Sequence, residues 1–397
     1  MGLTDIHIAG YRSVRSIHFP VRQLSVLVGA NGVGKTNLYR ALELVRAAAT
    51  GDLALALARE GGLGSAMWAG ERKATEPPRM VLRVGLEDVL ADDAGGLAPH
   101  YEVEIGFGDS RYEAVFELEP QIKRETLTIR QGKRDVALLE RKGVAAWYRD
   151  DEGNRRQMED TLLGSETALS SLRGAVPEID AVRYALAAWR FYHGFRTDTE
   201  AMLRRPSLAV TAPMLDADGG NLAAVFATLV HIRGDAQDLH AAVEDAFPGA
   251  RLTVPPPGTH ASFTMRFPDT PRRDFGVHEL SDGTLQFLAL MGALLAYRLP
   301  PLIALNEPEA SLHPDLLPAL ARIIAKAAQR TQVWVVTHSQ VLADALAAET
   351  GILPRAVVRR DGGTWLEGLS QFGDFVDDLA EPSPFPDVVP WHINNRR

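Results

Sequence analysis

The chain contains no cysteine. This absence excludes disulfide bonds, thiol nucleophiles and zinc sites built on cysteine, and it fits a reducing cytoplasm. Long apolar runs are also missing, because the longest apolar stretch, residues 285–305, is interrupted by Gln286, Arg298, Pro300 and Pro301. A membrane-spanning helix is therefore not expected. The N-terminal residues lack the basic and apolar regions of a signal peptide, so we expect a cytoplasmic protein without a membrane partner.

Positive charge is also scarce. The sequence has 42 Lys and Arg residues against 51 Asp and Glu residues, a formal net charge of −9. With this balance the surface as a whole is not expected to attract nucleic acid, so DNA binding requires a local basic patch. Residues 122–156 form one candidate patch, although a solvated charged rim is the simpler interpretation. Its basic residues are Lys123, Arg124, Arg130, Lys133, Arg134, Arg141, Lys142, Arg149, Arg155 and Arg156.

The most informative segment is Gly29-Ala30-Asn31-Gly32-Val33-Gly34-Lys35-Thr36, which fits the phosphate-binding pattern G-x-x-x-x-G-K-[ST]. The apolar residues 24–28 before it predict a buried strand, and residues 37–49 after it have helical apolar spacing. The glycines let backbone N–H groups face phosphates, and the helix N-terminus adds partial positive charge. We expect Lys35 to reach the β- and γ-phosphates and the Thr36 hydroxyl to bind Mg²⁺.

A second polar site is predicted where the apolar residues 301–305 end in Asn306-Glu307-Pro308-Glu309. This pattern has the form of a Walker B strand, in which a terminal carboxylate holds Mg²⁺ and the next Glu polarises the attacking water. Asn306 keeps an oxygen acceptor but lacks the negative charge. We therefore expect weaker Mg²⁺ binding or slow turnover, with Glu307 as the candidate base.

Two further segments carry less specific signals. Leu280-Ser281-Asp282-Gly283-Thr284 opens a predicted helix and offers a hydroxyl, backbone N–H groups and a positive helix end to an anion. Val335-Val336-Thr337-His338-Ser339 is a strand that ends in an imidazole. Taken singly, the first is a common helix cap and the second would more often contain a structural histidine.

In their order along the chain, these motifs resemble the RecF and SMC class of ABC-type ATPases, and stand-alone RecF-like bacterial ATPases in particular. Ser311-Leu312-His313-Pro314 after the Walker B segment and Tyr11-Arg12-Ser13-Val14 before the P-loop extend the resemblance. It covers the P-loop helix and residues 276–346, while the middle of the chain matches only in general layout. The Asn306 variant resembles those stand-alone ATPases, which are related to the ATPase part of OLD-family proteins.

The resemblance implies an ATPase head that binds ATP and Mg²⁺ and holds two ATP molecules between two protomers. Ser281 and Gly283 would contact a γ-phosphate held by Lys35 and Thr36 of the other protomer. Lys35, Glu307 and His338 are the implied catalytic residues, as phosphate ligand, base and γ-phosphate sensor, while residues 311–313 would cross the dimer. Thr36 and Asn306 are the implied metal-binding residues. The implied nucleotide-binding residues are Arg12, Gly29, Asn31, Gly32, Val33, Gly34, Lys35, Thr36, Asn37, Ser281 and Gly283. A glutamine loop is not assigned, since Gln121 and Gln157 both stay open.

The predicted fold class is α/β, namely a P-loop NTPase of the ABC/RecF/SMC head type. It comprises a parallel core sheet, an added antiparallel β-subdomain and a helical lobe. The predicted divisions are 1–75 and 271–397 for the two parts of the ATPase core, 76–160 for the β-rich subdomain and 161–270 for the helical lobe. The strands predicted in the β-rich part are residues 80–86, 101–107, 112–118 and 126–130.

Several functions fit such a chain. The first is an ATP-switched DNA transaction in repair, recombination or anti-phage defence. A transporter motor is disfavoured because roughly 240 residues separate the P-loop from Ser281, and an OLD-type nuclease is disfavoured because only a short tail follows His338. A sensor or scaffold that uses ATP to hold a separate effector protein is not separated from the first function by the sequence.

Overall fold

The computed structural model describes residues 2–72, 76–87, 98–108, 116, 119–131, 134–159, 162–234, 236–370 and 373–375. Its strands are β1 (Leu3–Tyr11), β2 (Val14–Pro20), β3 (Leu24–Val28), β4 (Arg79–Leu86), β5 (Pro99–Gly106), β6 (Gln121–Gln131), β7 (Arg134–Lys142), β8 (Ala145–Arg149), β9 (Arg155–Gln157), β10 (Arg190–Tyr192), β11 (Ser207–Leu208), β12 (Arg251–Thr253), β13 (His260–Ala261), β14 (Thr264–Arg266), β15 (Phe275–Gly276), β16 (Leu302–Asn306), β17 (Gln332–Thr337), β18 (Arg355–Arg360) and β19 (Gly363–Leu366). Its α-helices are α1 (Lys35–Thr50), α2 (Leu53–Arg59), α3 (Leu63–Ala66), α4 (Ala168–Ser171), α5 (Pro177–Ala187), α6 (Leu222–Ala227), α7 (Gln237–Ala246), α8 (Asp282–Leu295), α9 (Leu317–Ala328) and α10 (Gln340–Thr350). Among these described helices, none is long and apolar enough to cross a bilayer.

A six-stranded sheet in the order β10-β16-β17-β3-β18-β19 forms the centre of the fold. The pairs β10–β16, β16–β17, β17–β3 and β3–β18 are parallel, while β19 returns antiparallel to β18. β16 and β17 are almost continuously apolar because both of their faces are covered. Ile303 and Val335 enter one core with α8 and α9, whereas Ala304 and Trp334 enter a second core with α1 and the antiparallel strands. Beyond residue 280 helices and strands alternate as α8, β16, α9 and β17, and the predicted parallel core sheet is confirmed.

The antiparallel sheet has eight strands in the order β2-β1-β4-β5-β6-β7-β8-β9. Along its strands, residues of the buried face alternate with residues of the outer face. In β5, Tyr101, Val103 and Ile105 are buried, while Glu102 and Glu104 between them are partly exposed. The sheet also contains the hairpin β1–β2, so it extends beyond the predicted subdomain 76–160 into the N-terminal segment that leads to the P-loop. The strand predicted at 112–118 lies outside the described residues, apart from position 116.

The segment predicted as a helical lobe, 161–270, is mixed in structure. It contains α4 to α7 and a π-helical turn at Thr228–Arg233, and also the short strands β10 to β14. β10 lies in the core sheet, where Arg190 pairs with Ile303 and Tyr192 pairs with Leu305. Helical periodicity could not reveal β10, because three residues are too few to show a strand pattern.

A buried carboxylate connects the antiparallel sheet to α4 beside the P-loop helix. Glu125 of β6 is fully buried and accepts hydrogen bonds from the Tyr101 hydroxyl (3.0 Å) and from the backbone N–H groups of Ala168 (2.6 Å) and Leu169 (2.9 Å). Burial raises the pKa of Glu125, while these bonds and the charge of the fully buried Arg141 oppose the shift. The side chain therefore holds β6, α4 and a buried cation together.

Removing this carboxylate should destabilise the fold. Glu125→Ala leaves the Tyr101 hydroxyl and the N–H groups of Ala168 and Leu169 without their acceptor. It also removes the negative charge near the buried Arg141 guanidinium, so we expect the free energy of unfolding in urea to fall by about 3–5 kcal/mol. Arg124→Ala, an exposed neighbour on the same strand, is the control and should change stability by less than about 0.5 kcal/mol. Similar small losses for both variants would contradict the role assigned to Glu125.

Candidate functional site

The site lies at the edge of the core sheet where three parallel strands end. β3 pairs with β17 and β17 with β16, so Val28, Thr337 and Asn306 end close to one another. The segments that continue from these strands are the P-loop, His338 and Glu307. In open α/β sheets this edge is where ligands bind, and the pairing of the strands brings the predicted groups together there.

The P-loop between β3 and α1 has the backbone expected of a phosphate-binding turn. Gly32 has a φ of 82° and Gly34 a φ of 101°, a left-handed region that side-chain-bearing residues rarely adopt. Gly34 is the residue before the first turn of α1. Asn31 is exposed, and Thr36 is half-buried on the first turn of the helix. Backbone N–H groups and a helix N-terminus thus converge on one open surface.

Lys35 folds back over its own loop. Its Nζ donates hydrogen bonds to the carbonyl oxygens of Gly29 (2.7 Å) and Ala30 (2.8 Å), and the residue is only 4% exposed. Burial lowers the pKa of the Lys35 ammonium, while the negative charges of Glu307 and Glu309 oppose that shift. Lys35 is therefore a cation held near two carboxylates, and a phosphate would have to compete with two carbonyl acceptors for it.

Asn306 and Glu307 form the tip of β16. The Oδ1 atom of Asn306 is buried and has no hydrogen-bond partner among the described residues, although a buried acceptor is normally satisfied. Glu307 has a φ of 50°, and its N–H donates to the Val336 carbonyl at 2.7 Å. An amide oxygen without a partner, at the same edge of the sheet as the P-loop, fits Mg²⁺, which prefers oxygen ligands and keeps several waters and phosphate oxygens in its shell.

Glu309 contacts residues 337–339, the segment that contains His338. Its Oε1, on a side chain that is 6% exposed, lies 3.1 Å from His338 Nδ1. The same oxygen accepts the Thr337 hydroxyl (2.6 Å) and the N–H groups of His338 (3.0 Å) and Ser339 (3.2 Å). Glu307 Oε1 is farther from His338 Nδ1, at 3.8 Å. The imidazole is thus anchored by Glu309 and stands beside Glu307.

The segment with Ser281 and Gly283 forms a second, separate surface. Ser281 is exposed and caps α8, since its Oγ accepts the Thr284 N–H at 3.2 Å. A Cβ on Gly283 would lie 3.0 Å from the Ser311 carbonyl oxygen, so α8 begins against the loop after β16. Ser281, Gly283 and Ser311 line an open groove of about 700 Å³ together with residues 312–316. In the described part of the chain no hydrogen bond or ion pair joins Ser281 to Lys35.

Arg204 fixes the turn before α8. Its guanidinium donates to the carbonyl oxygens of His278 (3.1 Å) and Leu280 (2.8 Å), to Asp282 Oδ1 (2.7 Å) and, through Nε, to the Thr197 carbonyl (2.7 Å). Arg204 therefore positions the segment that contains Ser281 and Gly283, although the sequence shows this arginine only as part of a basic pair.

Two other predicted nucleotide contacts have protein partners. Arg12 donates from Nε (2.9 Å) and Nη2 (2.7 Å) to Glu60, so its guanidinium is engaged by a carboxylate. Asn37 Nδ2 donates to Ser13 Oγ at 2.6 Å. Gln121 and Gln157, the two positions open for a glutamine loop, lie on β6 and β9 of the antiparallel sheet. Nucleotide contacts by Arg12 and Asn37 stay predictions.

Comparison with protein families gives a match over most of this chain. The family model described as "AAA domain, putative AbiEii toxin, Type IV TA system" matches residues 24–94 and 149–344. These segments contain the P-loop, the α8 cap, the tip of β16 and His338. The chain belongs to this AAA family. A search of the curated proteins gives no match.

Solved structures similar to this AAA protein include SMC head domains. An SMC head bound to the C-winged helix domain of ScpA is similar over 94% of this chain and 99% of that chain, with 16% identity and a TM-score of 0.53. An SMC head domain with a coiled coil and joint from Pyrococcus yayanosii is similar over 94% and 98%, with 11% identity and a TM-score of 0.51. At these identities the likeness shows the fold alone, which is that of an SMC head domain and agrees with the predicted fold class.

Several residues of this AAA site were missed by sequence reasoning. Glu309 was visible as a second acid two positions after Glu307, but nothing in the pattern assigned it to His338. In the sequence, Arg204 stands out only as a neighbour of the basic residues Arg196 and Arg205, which together are a second candidate DNA surface. In the structure Arg196 pairs with Asp198 and Arg205 with Glu200, while Arg204 uses its nitrogens on the turn before α8.

The P-loop of this AAA protein makes a direct prediction. Lys35→Ala removes the buried cation that would face the phosphates, so we expect ATP affinity to fall by about 100-fold or more in isothermal titration calorimetry. Lys326→Ala, which removes a surface lysine paired with Asp238, should leave affinity unchanged. Near wild-type affinity in Lys35→Ala, with cooperative unfolding retained, would contradict the role of the P-loop.

Proposed function

We propose that this chain hydrolyses ATP slowly in an ATP-dependent homodimer, and that closing of the dimer switches a DNA transaction in repair, recombination or anti-phage defence. The observation that carries the proposal is the separation of two candidate phosphate-binding surfaces on one protomer. Lys35 and Thr36 lie at the sheet edge, whereas Ser281 and Gly283 line a groove of their own. A second copy of the chain would supply the missing half of each site.

The chemistry at the sheet edge supports hydrolysis. Glu307 carries the carboxylate that would accept a proton from the attacking water. His338, anchored by Glu309, would donate a hydrogen bond to the γ-phosphate, and Lys35 would neutralise part of its charge. Mg²⁺ held by Thr36 and Asn306 would neutralise further phosphate charge. Asn306 supplies an oxygen without a negative charge, which favours a weakly held metal and slow turnover.

The groove supports the second half of the proposal. Its two phosphate-binding groups, the Ser281 hydroxyl and the N-terminus of α8, belong to an exposed helix end. Gly283 lies against the Ser311 carbonyl oxygen, from which a Cβ at that position would be only 3.0 Å away, so glycine lets α8 begin close to this loop. Ser311 itself has a φ of 64°, which turns the chain sharply next to the groove.

A variant that binds but does not hydrolyse ATP should trap the dimer. Glu307→Gln keeps the shape of the side chain and removes the base. We expect this variant to have the mass of a dimer in light scattering with ATP and Mg²⁺, and a lower mass with ADP.

A second substitution tests the proposed interface between the protomers. Adding Ser281→Arg to Glu307→Gln places a bulky cation in the groove, so dimerisation should be lost while each protomer still binds ATP. A Glu307→Gln protein that stays monomeric at saturating ATP would disprove the composite site, as would loss of ATP binding on adding Ser281→Arg.

The proposed DNA contact lies on the outer face of the antiparallel sheet. Arg124 of β6 lies directly opposite Lys142 of β7, and both are exposed. Like charges opposite one another on neighbouring strands repel, so a bound anion would stabilise the pair. In the same basic run Arg141 is fully buried, and Arg155 and Arg156 pair with Glu140 and Asp150. Lys133 lies outside the described residues.

Charge reversal tests this surface. Arg124→Glu with Lys142→Glu should weaken DNA binding and lower the slope of log affinity against log salt by about two, one for each lost phosphate contact. Arg251→Glu with Arg272→Glu makes the same change of net charge on exposed residues elsewhere and should have a smaller effect. If the two double variants weaken DNA binding equally, the proposed DNA contact on this face is wrong.

An ATP-dependent scaffold that holds an effector protein is the second candidate. It is favoured by the description of the family, which names a toxin and a toxin–antitoxin system, and by the SMC head that is bound to a domain of ScpA. ATP turnover measured with linear, gapped and single-stranded DNA separates the two. Stimulation by one form supports the DNA transaction, whereas indifference to all three supports the scaffold.

A further inference from the structure

The P-loop is packed against a hairpin from the C-terminal part of the chain, β18–β19. A Cβ on Gly29 would lie 2.6 Å from the Val357 carbonyl oxygen of β18. A Cβ on Gly34 would lie 1.9 Å from Thr364 Oγ1 of β19 and 2.5 Å from Ser13 Oγ. Two P-loop positions therefore require glycine because this hairpin and Ser13 occupy the space beside them.

A directed chain of hydrogen bonds joins these elements. Thr364 Oγ1 donates to the Val33 carbonyl oxygen at 2.9 Å. The Thr364 hydroxyl has one hydrogen, so Ser13 Oγ, 2.6 Å away, must donate to it. Ser13 in turn accepts from Asn37 Nδ2 at 2.6 Å. The chain runs from α1 through Ser13 and Thr364 to the P-loop, and Thr364 is only 3% exposed.

The last bond of this chain sets the direction of a phosphate-binding donor. The Val33 carbonyl and the Gly34 N–H belong to one planar trans peptide, in which the two groups point in opposite directions. A carbonyl held on Thr364 therefore turns the Gly34 N–H away from Thr364 and the β18–β19 hairpin. Without that bond, the peptide beside a glycine could rotate at little cost, since glycine adopts positive and negative φ almost equally well.

We propose that Thr364 and Ser13 are positioning residues of the nucleotide site, and that the β18–β19 hairpin holds the P-loop in its phosphate-binding conformation. Both residues lie outside the segments matched by the family model, 24–94 and 149–344. The inference rests on nucleotide binding at the P-loop, but it requires neither hydrolysis nor dimerisation. Ser13 lies in the β1–β2 turn, so the same hydrogen bonds connect the P-loop to the antiparallel sheet.

ADP binding measured by isothermal titration calorimetry tests the proposal. Thr364→Val removes the hydroxyl at nearly constant volume, and we expect ADP affinity to fall by about three- to ten-fold. Thr364→Ser keeps the hydroxyl and should restore affinity to within about two-fold of wild type. Ser13→Ala interrupts the chain one bond earlier and should give a smaller loss in the same direction. It also serves as the test variant if Thr364→Val does not fold.

Thr228→Val is the matched control for a merely structural effect. Thr228 is buried, donates to the Ala224 carbonyl at 2.7 Å and accepts the Ala212 N–H at 2.9 Å, away from the P-loop. Its loss should lower the unfolding midpoint without changing ADP affinity. An unchanged affinity in Thr364→Val, or an equal loss in Thr228→Val, would overturn the proposal. Absence of ADP binding by the wild-type chain would instead contradict the P-loop site itself.

Discussion

The parallel pairing of β3, β17 and β16 is the constraint on which the site depends. These strands are far apart in the sequence, and each ends in a polar segment of different chemistry. Their register places Val28 opposite Thr337 and Asn306 opposite Val336, so the three strands end at one edge of the sheet. The apolar residues that alternate between two cores hold that register, because a shift by one residue would exchange the two faces of each strand. The position of the candidate ATP-binding groups thus follows from the packing of the sheet.

Local sequence patterns predicted the parts of the site that short segments encode. The P-loop glycines, the helix after them and the apolar strands with polar tips follow from the spacing of neighbouring residues, and the structure contains those elements. The contacts that connect these segments could not be predicted in this way. Glu309 and Thr337 are 28 positions apart, and Ser13 and Thr364 are 351 positions apart. Their hydrogen bonds depend on strand order, which no local pattern contains.

The surroundings of each basic side chain explain why some arginines of the sequence are structural and others lie exposed on the surface. Arg204 and Arg141 are indistinguishable from surface arginines in the sequence, yet both are enclosed by backbone carbonyl oxygens. Arg124 and Lys142 remain exposed and face each other. Burial of a guanidinium is tolerated only where acceptors surround it, and this arrangement becomes visible only when the fold is known.

The central claim is that each ATP is held by Lys35 of one protomer and Ser281 of another, and mixing two defective variants tests it most directly. Lys35→Ala lacks the P-loop cation and Ser281→Ala lacks the hydroxyl of the opposite surface. A dimer formed from one copy of each contains one site with both groups intact. The account predicts that the mixture hydrolyses ATP faster than the sum of the two separate proteins at the same total concentration. A mixture that never exceeds that sum would contradict the composite site.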